Sequence, residues 1–400
     1  MKINKTNIRN ILTIRYNPLE KPIIPKPKWQ NFDYDILDKQ GLQTEKLLKN
    51  SIVKNLSDEK SISISLSSGI DSSLSLALIR NVFPDKKLTG ICGVFGEGFD
   101  ESVVAEKIAH KFDADFSIVQ MSSIFTQMPE IISITQKPKW NTYTHLIAKK
   151  AKKISKNLVM GDGADELFGG YTFRYEKFLN LSNSSRNWKS RVKNYLECHN
   201  RDWVGDQEKI FGKKIKFDWN EIYEYFRPYF QNNLQPLKQV MLADFNGKLL
   251  FDFIPLAKSV CSYHNIRGYS IFLDPNVISF GESISVTQKF NRKTLKGKLI
   301  LRDISKRFEI PHIDTKKGFS PSLLIDWKNN GKDISEIFLK EKNSNIYKLG
   351  LINYDWVQKA LRIVNNDGDI RYLNRLISIF SLEIWLKVII LKEMKSSTKL

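Results

Sequence analysis

The chain has 400 residues, 42% of them hydrophobic, and a formal net charge of +20. That is enough for one large or two medium domains with a sizeable core, so we expect a soluble globular protein. A field of this sign attracts polyanions, yet lysines run from Lys2 to Lys399, and the densest groups, Lys149, Lys150, Lys152, Lys153 and Lys293 to Lys298, sit in amphipathic segments. Solvated faces are therefore the default, and nucleic acid is not a favoured partner.

Prolines at positions 18, 22, 25 and 27 block helix interiors, so residues 1–45 read as an extended N-terminal arm. The N-terminus has no continuous apolar run after Lys2 and Lys5 and does not read as an export signal. Strands are expected over 62–66, 88–95, 116–119 and 158–160, alternating with helices over 73–81, 101–112 and 144–155. That alternation predicts an α/β fold with a mainly parallel, doubly wound sheet. Beyond residue 175 the pattern becomes mostly helical and aromatic-rich. The apolar stretch 376–391 is interrupted by Glu383 and Lys387 and falls short of the roughly 20 residues of a membrane span, so it reads as a buried C-terminal helix. Cys92, Cys198 and Cys261 are widely spaced and odd in number, which argues against a disulfide framework or a zinc site and for reduced thiols in the cytoplasm. The five histidines form no triad or metal pattern.

Two glycine-containing loops fall at strand ends, where ligands of parallel sheets bind. The first, Ser67-Ser68-Gly69-Ile70-Asp71-Ser72, follows Ile62, Ile64 and Leu66 alternating with serines. Free backbone N–H groups at a helix start, with Gly69 allowing close approach, suit a phosphate. Hydroxyls of Ser67, Ser68 and Ser72 could add hydrogen bonds. Asp71 would repel phosphate unless a divalent cation lay between them, which makes it a candidate Mg2+ ligand. The second loop, Gly161-Asp162-Gly163-Ala164-Asp165-Glu166-Leu167-Phe168-Gly169-Gly170-Tyr171, follows Leu158-Val159-Met160.

The first loop resembles the Ser-Gly-Gly-hydrophobic-Asp-Ser fingerprint of PP-loop ATP pyrophosphatases, with Ser68 in place of the first glycine. The second resembles the asparagine synthetase family, including the beta-lactam synthetases and lasso-peptide cyclases. Further pieces follow in that family's order: Val94 with Phe99-Asp100-Glu101-Ser102, Leu250-Phe251-Asp252 through Lys258, Ile271-Phe272-Leu273-Asp274, Gly297-Lys298 before Ile300-Leu301-Arg302, and Lys316-Lys317-Gly318-Phe319. The resemblance implies a PP-loop, adenine nucleotide alpha hydrolase-like domain over 46–400, with a nucleotide-binding part at 46–175 and a helical part at 176–400.

It further implies ATP held by Leu66, Ser67, Ser68, Gly69, Asp71, Ser72, Val94, Met160 and Gly161, and Mg2+ held by Asp71 and Asp165. Lys298 would balance charge on the phosphates, Asp162 would orient or deprotonate an amine, and Asp252 would be an inward acid serving the substrate. The activity so implied is AMP-forming amide synthesis through an acyl-adenylate. Two departures stand out. The chain reaches its ATP loop by Ser67, leaving no room for an N-terminal glutaminase domain, so ammonia would come from a separate glutaminase or free ammonium, or another amine would be used. Gln136-Lys137-Pro138 stands where many relatives carry an acid before proline, so the substrate is a small-molecule or peptide carboxylate of open identity. The alternatives are a PP-loop RNA-modifying enzyme and a non-catalytic ATP-binding relative.

Overall fold

The structure, a computed structural model, describes residues 3–96, 100–183, 187–311 and 322–400. Five parallel strands form one sheet in the order β3-β2-β1-β4-β5: β1 Ser61–Ser65, β2 Lys87–Val94, β3 Asp115–Gln120, β4 Asn157–Val159 and β5 Arg267–Tyr269. β1 is central and covered on both faces. Ile62 and Ile64 are fully buried, and so is the serine between them, whose hydroxyl accepts from Ser155 Oγ at 2.8 Å. A buried hydroxyl needs such a partner, and this one ties the strand to the segment leading into β4.

The helix Ile70–Val82 follows β1, with Leu74, Leu76, Leu78 and Ile79 buried against the sheet. Ser102–Lys111 joins β2 to β3, and Thr144–Ala151 precedes β4. The four expected strands and three expected helices are present within a few residues of their predicted bounds. β1 pairs with β2 on one side and with β4 on the other, so the chain reverses its winding direction at β1. Loops after β1 and β4 come together there, at the carboxyl ends of the strands, the usual ligand position in such sheets.

Three features differ from expectation. Residues 15–28 are irregular, as their prolines require, but the N-terminal segment opens with a ten-residue helix, Lys5–Ile14, capped by Asn4. Ile8, Ile11 and Leu12 lie on one face of it and are buried, so burial of that stripe outweighs the extended tendency of the segment. The fifth strand, β5, comes from the region read as mostly helical. An eight-residue helix, Met128–Thr135, also precedes the 144–151 helix.

The C-terminal helix Ile370–Trp385 is buried along nearly its whole length, and Lys387 Nζ lies 3.6 Å from Glu383 Oε1 just beyond it. Glu383 also accepts from the N–H groups of Asn345 at 3.2 Å and Ile346 at 2.9 Å. Its charge thus caps a neighbouring turn instead of facing solvent. No helix among the described residues is long and apolar enough to cross a membrane.

Candidate active site

The loop after β1 is folded by its own side chains. Ser67 N–H donates to Ser72 Oγ at 3.0 Å, and Gly69 N–H to Ser67 Oγ at 3.2 Å. Ser68 N–H and Ser68 Oγ both donate to Glu101 Oε2, at 3.0 and 2.8 Å. These three amides are therefore engaged within the protein, which corrects the expectation of a cradle of free loop amides. The hydroxyls of Ser67, Ser68 and Ser72 likewise shape the loop. Positive potential for an anion comes instead from the start of the helix Ile70–Val82, where the first intrahelical bond is Ser73 N–H to Gly69 O at 3.2 Å.

Ser68 explains its own departure from the fingerprint. Its side chain is fully buried and turned into Glu101, so the extra atoms leave the solvent side of the loop clear. Glu101 was visible in the sequence only as part of a helix start, because a contact across 33 residues has no local signature.

The loop after β4 meets the first loop directly. A Cβ on Gly161 would lie 3.2 Å from Asp71 Cβ. Gly163 has φ +91, and a Cβ there would be 2.6 Å from Leu273 Cδ2, so only glycine fits this turn without strain. Asp165 then opens the short helix Ala164–Phe168 with its carboxylate toward Asp71. Lys298 closes the cluster. Its Nζ lies 2.5 Å from Asp71 Oδ2 and 2.6 Å from Asp165 Oδ1.

The backbone explains how a residue 227 positions from Asp71 is aimed there. A two-stranded hairpin, β6 Phe290–Asn291 and β7 Lys296–Gly297, precedes Lys298. A Cβ on Gly297 would fall 2.1 Å from Gly169 O, so the two segments pack backbone to backbone. Lys298 N–H donates to Phe168 O at 3.1 Å, and Lys298 itself has φ 54, a left-handed conformation, as the cap of the helix Leu299–Arg307. A Cβ on Gly170 would lie 1.6 Å from Asp165 Oδ1 and 2.5 Å from Lys298 Cε. The paired glycines thus make the room in which acid and lysine meet.

Electrostatics follow from this geometry. Burial alone would lower the Lys298 pKa, but Asp165 and Asp71 outweigh it and hold the ammonium above the ordinary lysine value. Asp162 is pushed up to about 6, first by burial and then by the charge of Asp165. Glu166 is pushed up to about 8 by burial and Asp165, while a hydrogen bond from Tyr171 Oη opposes the shift. Asp71 and Asp165 supply two hard oxygen donors converging on one cation-sized position, which a lysine ammonium fills. That donor set suits Mg2+, which takes one or two carboxylates and completes its shell with phosphate oxygens and water.

The remaining expected residues divide. Leu66 is buried and packs beneath Gly90, where a Cβ would be 2.5 Å from its Cδ2. Val94 and Met160 stand at the ends of β2 and β4, with Met160 N–H bonded to Tyr269 O at 2.8 Å. Asp274 caps the helix Pro275–Ser283 and pairs with Lys54 at 3.2 Å. Asp252 does not join the cluster around Lys298 by any ion pair among the described residues. It is fully buried, paired with Lys139 Nζ and with Arg15 Nη2 at 3.3 Å, and those cations hold its pKa low against the effect of burial. Phe99 and Lys316-Lys317-Gly318-Phe319 lie outside the described residues.

Comparison with known proteins places the chain in a family. The sequence pattern of the asparagine synthase family matches residues 43–387. A Mycobacterium tuberculosis protein named as a glutamine-hydrolysing asparagine synthetase is 25% identical over 282 residues, covering 62% of this chain and 43% of the relative. A glutamine-hydrolysing asparagine synthetase of Bacillus subtilis is 27% identical over 149 residues, covering 36% of this chain and 23% of the relative. The chain thus spans less than half the length of these relatives. Two solved structures show fainter likeness. An NH3-dependent NAD synthetase of Campylobacter jejuni has 16% identity and a TM-score of 0.23, covering 36% of this chain and 61% of that one. A U34-tRNA thiolase of Methanococcus maripaludis has 15% identity and a TM-score of 0.26, covering 70% and 82%. Scores this low support no conclusion about fold or function. The match over 43–387, together with both loops and the lysine segment in place, makes this chain a member of the asparagine synthase family.

Proposed function

We propose that the chain catalyses AMP-forming synthesis of an amide from a carboxylate, ATP and an amine. The observation that carries this reading is the ammonium of Lys298 held between Asp71 and Asp165, carboxylates from two different strand-end loops. A carboxylate is inert toward amines at neutral pH because oxide is a poor leaving group. Its oxygen attacks the α-phosphorus of ATP, the bond to the β-phosphate bridge breaks, and pyrophosphate departs, leaving an acyl-adenylate.

The helix start at Ile70 lends positive potential to the phosphates. Mg2+ bound to Asp71 and Asp165 would neutralise charge on the departing pyrophosphate. Lys298 reaches the same place on a flexible stem and adds a second positive charge. Asp162, with its pKa raised to about 6, is ionised at neutral pH yet remains basic enough to take a proton from the incoming amine. The amine then attacks the acyl carbon, and AMP leaves with the former carboxylate oxygen. The amine is ammonia from a separate source or a larger nucleophile.

Product analysis tests this. The protein is incubated with ATP, Mg2+ and a panel of carboxylates and amines that includes aspartate with ammonium, with Asp165→Ala as control. The reading predicts AMP, pyrophosphate and amide in equal amounts with at least one pair. ADP formation, or no turnover with any pair, would overturn it.

A further inference from the structure

Asp252 belongs to a second charged cluster, built largely from residues that no loop motif marks. Lys139 pairs with Asp252; Arg15 bridges Asp252 at 3.3 Å and Asp202 at 3.6 Å; Lys248 Nζ lies 2.6 Å from Asp202 Oδ2. Arg375 stands beside them. It is buried, donates one Nη1 hydrogen bond to Leu12 O three residues before Arg15, and has a buried Nε without a hydrogen-bond partner among the described residues.

Three cations therefore share two carboxylates in ion pairs among the described residues, and the buried Arg375 guanidinium adds a fourth positive charge that no carboxylate there pairs with. Nearby Lys137 and Arg174 do not change this, since each has its own acid in Glu20 and Asp244. An excess of positive charge held away from water is unfavourable unless an anion completes it. The cluster is also reachable: the Arg15 side chain is 30% exposed although protein charges surround it, whereas Asp252 is closed off completely.

Two more observations point the same way. Arg15 occupies the left-handed position after the helix Lys5–Ile14, with φ 76, where glycine is favoured and a side chain costs about 1 kcal/mol. Lys139, just after Pro138, has its side chain only 8% exposed and its ammonium against Asp252, so a built charged group faces the cluster from within. At the loop after β4, Tyr171 donates to Glu166 and is stacked by the Arg174 guanidinium at 3.7 Å.

We propose that Arg15, Lys139, Lys248 and Arg375 form an anion subsite that seats a carboxylate of a reactant, distinct from the carboxyl being activated, with Arg15 as the accessible donor. The assignment to a reactant rests on the amide-synthesis reading; the anion binding does not.

Calorimetric titration of the full chain without nucleotide tests it. Succinate, which has no amine, and β-alanine, which has one, are titrated separately. Binding of succinate alone assigns the carboxylate to the acyl donor, and binding of β-alanine alone assigns it to the amine partner. In either case Arg15→Gln should weaken binding about tenfold or more, with a smaller loss for Arg15→Lys. Asp202→Asn removes a competing acid and should tighten binding, a direction that damage to the fold does not produce. Melting curves with and without succinate establish that each variant is folded, and Asp202→Asn should gain more in Tm from succinate than wild type. Absence of binding to wild type, equal affinity in folded Arg15→Gln, or weaker binding in folded Asp202→Asn would overturn the proposal. Anion binding without AMP formation would sink only the amide-synthesis reading, and AMP formation indifferent to Arg15 would sink only the subsite.

Discussion

The protein holds two ionic clusters made from the same residue types with opposite charge balance. Among the described residues, Asp71 and Asp165 both pair with the Lys298 ammonium, whereas around Asp252 three cations pair with two carboxylates and Arg375 adds a fourth positive charge. The first is over-acidic, sits at strand ends and is partly open, with Asp165 36% exposed. The second is over-basic, closed at Asp252 and Lys139 and open to solvent most at Arg15 among the charges that pair there. An acid-rich pocket takes up a cation and tolerates loss of an acid, whereas a base-rich pocket depends on the acid at its closed end, here Asp252. Charge balance, more than the presence of aspartate, tells the two apart.

Substitutions at the first cluster should be felt in chemistry. Lys298→Ala and Asp165→Asn are each expected to lower the rate of AMP formation by about 10³-fold or more, because both act where charge develops. Thermal melting should be nearly unchanged for Asp165→Asn, which leaves Lys298 its contact with Asp71. A variant that melted early instead would make the cluster structural and erase the contrast.

Asp252→Asn should show the reverse. It strands Lys139 in a buried site, a loss of about 3–5 kcal/mol, read as a lower denaturant midpoint. Unchanged stability would mean that the second cluster is more solvated than its burial indicates.

Asp162 sharpens the contrast through pH. Its pKa is raised, so the folded protein retains a proton there up to about pH 6 that an unfolded chain would already have lost. Its contribution to stability is therefore lost as pH rises through 6, while the basic form needed for the amine appears over the same window. Amide formation should rise across pH 6, and Asp162→Asn should lower it about 10²-fold and flatten that limb. A profile unchanged in Asp162→Asn would remove it from proton transfer.

The smallest effect is expected at Ser68. Ser68→Gly deletes one hydrogen bond to Glu101, worth about 1 kcal/mol, and should leave ATP affinity within a few-fold. A large loss of affinity would show that the hydroxyl contacts nucleotide.

What the sequence made legible follows the range of the interactions. β1, β2 and β4 were readable because short apolar runs end in glycine loops. The convergence of Asp71, Asp165 and Lys298 was legible only through family resemblance, since no local pattern joins positions 227 residues apart. β5 escaped because Arg267-Gly268-Tyr269 is too short to show alternation. The helix Lys5–Ile14 had a signal in Ile8, Ile11 and Leu12 at helical spacing, but four prolines immediately after it dominated the reading. Partners of Asp252 arrive from residues 15 and 139, so only the folded chain shows that this acid is held by cations.

The most direct test of the account is carboxylate-dependent exchange of labelled pyrophosphate into ATP, measured in wild type and in Asp165→Asn without any amine. Reversible adenylation predicts exchange that requires both Mg2+ and a carboxylate and that falls about 10³-fold in the variant. Exchange that persists undiminished in Asp165→Asn would contradict the assignment of the Asp71, Asp165 and Lys298 cluster as the place where the phosphates are held.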